Sequence, residues 1–391
     1  MNPVLVLLTL LSCTGALFYL VAGALTWQFF TKQRTASLEM LPAVSILVPV
    51  CGLEARAWQN WSSLCEQNYP IYEVLFGVQN ANDPAIPVLQ AICQTYPHRA
   101  RWYLCNQIRG INLKTSNVSQ LFAHARYGVV VETDSDVRVG SNYLATLTQP
   151  LADPQVGVVT CGYIDHQPQR LGAAFIALGR CLDFIPSVLV ARRLDGGLRF
   201  AIGPTVLLRR EVLEKIGGFE IALNRVGEDY QLGYAAWRAG YRVELSTYIL
   251  DNDCGHESLR QAIQRELRWS RSIRVNRGNQ YFGMVLMFGT VYSALLWGLF
   301  PAPWTLGLFL TVQGIRWLQA VISILLMGTP RLLLWLWLLP LRDVMSFLIW
   351  LGGCFGNRIY WRGRWLRVWI AMVNCKKLLR ILKSPKARLL K

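Results

Sequence analysis

The chain has 391 residues, with 40 Lys and Arg against 23 Asp and Glu, a formal net charge of +17, and 16% charged residues. Soluble domains average about 25% charged residues, so this deficit, the 15 Trp and a mean hydropathy of +0.29 point to a membrane protein. They exclude a disordered chain, a collagen-like repeat and a small disulfide-stapled scaffold. After Asp343 there are 11 basic residues and no acidic one. Basic clusters beside apolar segments serve topology and anionic headgroups, and no nucleic-acid fold motif accompanies them, so no nucleic-acid partner is expected. The ten cysteines are scattered, without C-x-x-C or zinc spacing, and read as apolar fillers in a reducing compartment.

Residues 3–30 carry no charge over 28 positions. At about 1.5 Å per residue against a hydrocarbon core of about 30 Å, they can span a bilayer with tilt. Lys32 and Arg34 follow at once, so the positive-inside rule places the next domain, 42–278, in the cytosol. Within it, continuous apolar runs at 44–50, 74–78, 128–131, 156–160, 200–208 and 242–245 alternate with helical stretches such as 85–95, 142–150 and 229–239. Continuous runs are strands buried on both faces, which gives a mostly parallel sheet with helices on both faces and ligands at the strands' carboxyl ends. The stretch 171–194 is apolar, carries Arg180, Arg192 and Arg193, and suits a bilayer surface or a core helix.

Residues 281–315 form a second charge-free stretch of 35, broken by Pro301 and Pro303. It predicts spanning helices at 281–300 and 304–327, with Arg316 at a depth where a charge must face protein or water. The last apolar block, 332–356, is interrupted by Arg342 and Asp343. It predicts re-entrant or interfacial half-helices hinged there, within a membrane region of 281–356, followed by a basic cytosolic tail at 357–391.

Four motifs carry chemistry. Asp134-Ser135-Asp136 ends a buried strand, where an Asp-x-Asp can fix a metal and diphosphate or simply form an acidic turn. Asp83-Pro84 follows another strand, as a base- or ribose-contacting acid would, or as a plain turn. Glu228-Asp229 opens a helix, where acids cap the positive end, and a carboxylate held there can also act as general base. Arg265-x-x-Arg268-Trp269 lies on a helix leading to the membrane, where it can meet a departing diphosphate or form an interfacial belt. His256 lies close before it and reads as an acceptor-pocket residue or a satisfied polar group.

In this order, the motifs resemble those of the ceramide glucosyltransferase family and its bacterial hopanoid-associated relatives, membrane-bound enzymes of the nucleotide-diphospho-sugar transferase fold. The resemblance runs through Pro49 and Gly52, Asn68-Tyr69-Pro70, Asp83-Pro84, Lys114 and Asn117, Asp134-Ser135, Gly217-Gly218, Glu228-Asp229, Arg265-x-x-Arg268-Trp269, Arg342-Asp343 and Trp361-Arg362-Gly363. It implies an α/β nucleotide-diphospho-sugar transferase fold with transmembrane and interfacial helices. It also implies transfer of a sugar, with glucose expected, from a UDP-sugar donor to a membrane lipid hydroxyl with inversion.

By the same resemblance, Pro49, Asp83, Lys114, Asn117 and Asp134 would bind the donor, and Asp134 with Asp136 would hold Mg²⁺ or Mn²⁺. Asp229 would deprotonate the acceptor with Glu228 beside it. Arg265, Arg268, Trp269 and His256 would serve the leaving group and acceptor. The chain departs from the family at Asn80 and Asn82, at Val48 and at Arg265, where animal members carry Asp, Lys and more often Gln. Ceramide, a diacylglycerol and a hopanoid polyol stay open as acceptors, and the oligomeric state is not set by the sequence. A processive polysaccharide synthase and a non-catalytic membrane adaptor are the alternative readings; about three crossings are few for a polymer channel, and retention of Asp83, Asp134, Asp229 and Arg268 speaks against an adaptor.

Overall fold

The computed structural model describes residues 2–32, 41–252, 257–356, 358–361 and 364–367. His256, Arg34, Arg362, Gly363 and most of the basic tail lie outside the described residues. The chain begins with α1 (Pro3–Thr31), β1 (Val44–Val50), α2 (Ala57–Cys65), β2 (Tyr72–Val78), α3 (Ile86–Thr95), β3 (Ala100–Leu104), α4 (Leu113–Phe122) and β4 (Val129–Thr133). There follow β5 (Val137–Arg138), α5 (Tyr143–Thr148), β6 (Val156–Ile164), α6 (Leu171–Gly179), α7 (Ile185–Leu194), β7 (Thr205–Arg209), α8 (Arg210–Lys215), α9 (Glu228–Arg238) and β8 (Arg242–Asn252). The helical half comprises α10 (Leu259–Arg277), α11 (Gly289–Leu299), α12 (Pro303–Leu326) and α13 (Leu339–Gly353), with a hairpin of β9 (Arg358–Trp361) and β10 (Arg364–Arg367).

One sheet has the order β3-β2-β1-β4-β7-β6-β8-β5. β1, β2, β3 and β4 pair in parallel, as do β6 and β8. β7 runs antiparallel between β4 and β6, and β5 antiparallel along β8. Every residue of β1, β2 and β4 is buried, which explains why these strands are apolar on both faces apart from Ser45, Glu73, Glu132 and Thr133. The carboxyl ends of β1, β2 and β4 and the start of β7 therefore share one edge, at the switch point where β1 has parallel neighbours on both sides. The expected strand at 200–208 begins only at Thr205. Its leading residues form a connection in which Ile202 exchanges hydrogen bonds with Thr160 Oγ1.

Among the described residues, four helical segments are long and apolar enough to cross a membrane: Pro3–Thr31, Leu171–Leu194, Pro303–Leu326 and Pro330–Gly353. Leu171–Leu194 is mostly buried within the protein instead of lying open on a bilayer surface. Its apolar groups face neighbours on more than one side: Phe175 and Leu178 join Ile164 from the sheet to Ala320 and Ile324 of α12. The expected helix at 281–300 is broken. Residues 278–287 form 3-10 turns and only Gly289–Leu299 is α-helical, at a 47° bend from the preceding helix. Tyr281 holds the break, with its hydroxyl 2.5 Å from Ser270 Oγ and donating to Trp350 O at 2.7 Å. At Gly15 and Gly289 the backbones of α1 and α11 touch, so that a Cβ on Gly15 would lie 2.3 Å from Gly289 Cα.

The expected hinge at Arg342-Asp343 is not found: both residues lie inside α13, and the change from a 3-10 stretch to α-helix comes at Leu338, within the single segment Pro330–Gly353. The two charges need no hinge because they are paired inside the protein. Arg316 of α12 lies 2.6 Å from both Asp343 and Asp183, bonds Gln319 Oε1 at 2.7 Å, and stacks over the Tyr19 ring of α1. Asp343 also accepts from Thr290 of α11 at 2.7 Å. Arg342 reaches Glu266 of α10 at 2.7 Å and Asp183 at 3.6 Å, its guanidinium lying where a Cβ on Gly179 would meet Nη2 at 2.1 Å. The network joins α1, α10, α11, α12 and α13 to the α6–α7 layer.

Removing one partner of a buried ion pair leaves an uncompensated charge and costs about 3–5 kcal/mol. Arg316→Met should therefore lower the thermal midpoint of the detergent-solubilised chain sharply. Combining it with Asp343→Asn should cost less than the sum of the two single changes, and additive losses would refute the network.

Candidate active site

Asn112 caps α4, accepting from Thr115 N at 3.1 Å, and so sets Lys114 in the first turn. A cation is unfavourable at a helix amino terminus, and three carboxylates offset that here. Lys114 Nζ lies 2.6 Å from Asp134, 2.8 Å from Glu228 and 3.2 Å from Glu132. One ammonium thus joins α4, the end of β4 and the start of α9. Burial works against its charge, but the three acids outweigh this and hold Lys114 well above the usual range. Burial pushes Glu132 up to about 7 against the pull of Lys114. Burial would raise Glu228 as well, yet Lys114 and the Asn112 amide carry it below its ordinary value.

Asp229 follows Glu228 in the first turn of α9, behind Gly227 in a left-handed conformation. Its Oδ2 accepts from Gly203 N at 2.5 Å, while Pro204 O accepts from Asp134 N at 3.0 Å. The Gly203-Pro204 connection therefore holds both carboxylate motifs in place. Burial and the neighbouring Glu228 charge push Asp229 up to about 6.

Trp61 Nε1 donates to Ser135 O at 3.2 Å and steadies the Asp134–Asp136 turn. Asp136 Oδ1 is sealed from solvent with no hydrogen-bond partner among the described residues, and burial followed by the Asp134 charge pushes Asp136 up to about 6. No group of three or more His, Cys, Asp or Glu side chains able to hold a metal occurs among the described residues. Mg²⁺ and Mn²⁺ commonly use one or two carboxylates plus substrate phosphates, and an unpartnered Asp136 oxygen beside Asp134 fits that donor set.

Asp83 sits after β2 with its carboxylate accepting from Gly52 N at 2.9 Å and Ala85 N at 2.9 Å, which ties it to the loop after β1 and Pro49. Asn117 stands apart from these groups: it is buried under the sheet, its amide donating to Gly77 O at 2.8 Å. Asn60 is equally buried, so the two Asn-x-Ser sequons, Asn60-Trp61-Ser62 and Asn117-Val118-Ser119, are closed to modification in the folded chain.

On α10, Arg265 pairs with Glu257 and lies over the Trp269 ring. Arg180, from the turn between α6 and α7, stacks on Trp269 and Tyr163 and donates to Asn252 Oδ1, and Asn252 donates to Asp136 O at 3.4 Å. Arg180 and Asn252 thus connect the Arg/Trp motif to the Asp134–Asp136 turn. Arg268 contributes positive potential around Glu257. Sequence reasoning missed Glu132, Asn112, Gly203 and Asn252. A carboxylate inside an otherwise apolar strand was the available signal for Glu132, and the Gly-Pro before β7 the signal for Gly203.

The family model described as glycosyl transferase family 21 matches residues 4–371. Ceramide glucosyltransferase 1 of Caenorhabditis elegans is 23% identical over 338 residues, which is 82% of this chain and 71% of that relative. Ceramide glucosyltransferase 3 of the same organism is 24% identical over 243 residues, 59% of this chain and 50% of the relative, so the match spans only half of that protein's length. A solved mannosyltransferase from Pyrobaculum calidifontis, in complex with GDP-Man and Mn²⁺, superposes with a TM-score of 0.53 at 17% identity, over 90% of this chain and 96% of its own. That likeness is one of fold.

A carboxyl whose folded pKa exceeds its unfolded value favours the fold below the unfolded value, and this contribution is lost as pH rises through the folded one. Lys114→Met would drive Glu132 and Glu228 upward. It should cost about 3–5 kcal/mol at pH 8 and less at pH 5, as read from thermal midpoints across pH. An equal loss at both values would show that Lys114 does not hold the cluster.

Proposed function

The chain belongs to glycosyl transferase family 21, and from that membership we propose that it moves glucose from UDP-glucose to the hydroxyl of a ceramide-like, diacylglycerol or hopanoid lipid, with inversion at the sugar carbon. The observation that carries this reading is the Asp229 carboxylate, fixed by Gly203 N beside the Lys114 cluster and pushed up to about 6. A general base works best with a pKa near the operating pH. The curated relatives' names, ceramide glucosyltransferases, support glucose as the sugar and a lipid as the acceptor.

In the proposed reaction Asp229 takes the acceptor proton as the hydroxyl oxygen attacks the anomeric carbon. The bond from that carbon to the diphosphate oxygen breaks in the same step, and UDP leaves with the electron pair. Glu228, kept ionised by Lys114, disfavours a second negative charge nearby and so keeps Asp229 basic. Asp83 lies where a uridine would meet the ends of β1 and β2. Arg265, Arg268 and Trp269 lie on the helix that leads to the membrane block, where guanidinium groups can receive the diphosphate. Asp134 and Asp136 would hold a divalent cation, which supplies neutralising charge to the leaving diphosphate when bound.

Lys32 after α1 supports a cytosolic catalytic domain, with 3–30 and parts of 281–356 in the membrane. A donor dissolved in water and an acceptor held in lipid would meet between the sheet edge and α10.

Membranes containing the chain, given labelled UDP-glucose, Mn²⁺ and mixed lipids, should yield a single-sugar lipid identifiable by mass spectrometry. Asp229→Asn should reduce its formation at least about 10³-fold, within the range of catalytic side-chain deletions. The wild-type rate should fall about tenfold per unit as pH drops below about 6. Absence of labelled lipid with folded protein and UDP bound would overturn the donor and acceptor assignment. A separate expectation concerns the cation: chelation should abolish turnover and added Mn²⁺ restore it, while Asp136→Asn should raise the Mn²⁺ concentration needed at least about tenfold.

A further inference from the structure

β6 runs parallel to β4 through the intervening antiparallel β7, so the amino ends of β6 and β8 lie at the sheet edge opposite the Lys114 cluster. There a cavity of about 960 Å³ opens beside the last turns of α1, with Leu25 and Phe29 on its apolar side. The 29 residues of α1 extend about 43 Å at 1.5 Å per residue, against a hydrocarbon core of about 30 Å. If its leading turns cross the core, its final turns stand at headgroup depth.

Lys32, Arg192, Arg193 and Arg242 supply the cavity's positive charge. Arg242 is satisfied by Asp153 and Glu244, each at 2.6 Å. Arg192 places one guanidinium nitrogen 2.9 Å from Glu244, yet its buried Nε has no hydrogen-bond partner among the described residues. The remaining carboxylate, Asp195, is taken from outside the cavity by Arg277 at 3.1 Å and Arg199 at 3.9 Å. Lys32 and Arg193 are exposed and form no ion pair among the described residues. The cavity thus combines one buried unsatisfied donor, two uncompensated cations and an apolar wall on a helix that leads into the bilayer. Basic pockets at this depth suit lipid phosphates.

We propose that this cavity binds the phosphate-bearing headgroup of an anionic phospholipid, whose acyl chains follow α1 into the bilayer. The proposal rests on the reading that α1 crosses a membrane and assigns a lipid site separate from donor and acceptor. The phosphate would sit beside the Arg192 guanidinium between Lys32 and Arg193, and the first chain carbons would lie on Leu25 and Phe29.

The test is native mass spectrometry of the full chain in detergent, titrated with phosphatidylglycerol or with phosphatidylcholine of the same chains. The wild type should retain phosphatidylglycerol at a concentration at least tenfold lower than phosphatidylcholine. Lys32→Gln with Arg193→Gln, both exposed, should reduce the preference to threefold or less with an unchanged thermal midpoint. Arg126→Gln with Arg138→Gln, exposed cations outside the cavity, should leave it intact. Equal retention of the two lipids, an undiminished preference in the first variant, or the same loss in the second would overturn the site. Displacement of the lipid by millimolar inorganic phosphate would assign the pocket to free phosphate and overturn the lipid source. Release of the chain from membranes by alkaline carbonate would refute the membrane reading itself, independently of these outcomes.

Discussion

An ammonium buried at the wrong end of a helix dipole is unstable unless something opposes the mismatch. At Lys114 that opposition comes from Asp134, Glu132 and Glu228, three acids contributed by β4, its following turn and α9. Glu132 and Glu228, the two more buried acids, in turn draw their compensation from the lysine. The mutual requirement fixes the distance between the loop after β4 and the amino end of α9, and therefore sets where Asp229 stands relative to the Asp134–Asp136 turn. Local preference is overridden at the place where the chemistry is concentrated, as expected where one site must hold several like charges at close range.

A second ionic assembly performs a different task in the helical half. Arg316, Arg342, Asp183, Glu266 and Asp343 come from four separated segments and are buried or largely shielded. Unpaired, any of them would be costly in an apolar surround. Paired, they define which faces of the helices meet. Glu266 belongs to the same helix as Arg265, Arg268 and Trp269, so the packing of α13 bears directly on the orientation of that motif.

Much of this was legible in the chain. The continuous apolar runs at 74–78 and 128–131 read as two-sided strands, and Asp83 and Asp134-Ser135-Asp136 followed them at the carboxyl ends. The charge at Arg316 within an apolar segment required protein or water around it, and the structure supplies Asp343 and Asp183. What could not be read was three-dimensional: that Lys114 spans three acids, that Asn117 lies under the sheet, and that Asp183 is shared by two arginines. The helix break at 278–287 escaped for a related reason. Hydropathy registers that stretch as continuous, whereas Tyr281 is held by Ser270 and Trp350, the latter 69 residues away.

The contact between α1 and α11 carries a consequence for biosynthesis. Tyr19 and Thr290, which meet at 3.4 Å, are separated by 271 positions, and Gly15 touches Gly289 nearby. At synthesis rates of about 5–20 residues per second, that interval lasts roughly 14–54 s. The first helix must therefore wait, with its glycine face uncovered, until the chain has been made as far as Thr290. The sheet can close while it waits, because its strands draw on nearer partners, and the helical half is completed last.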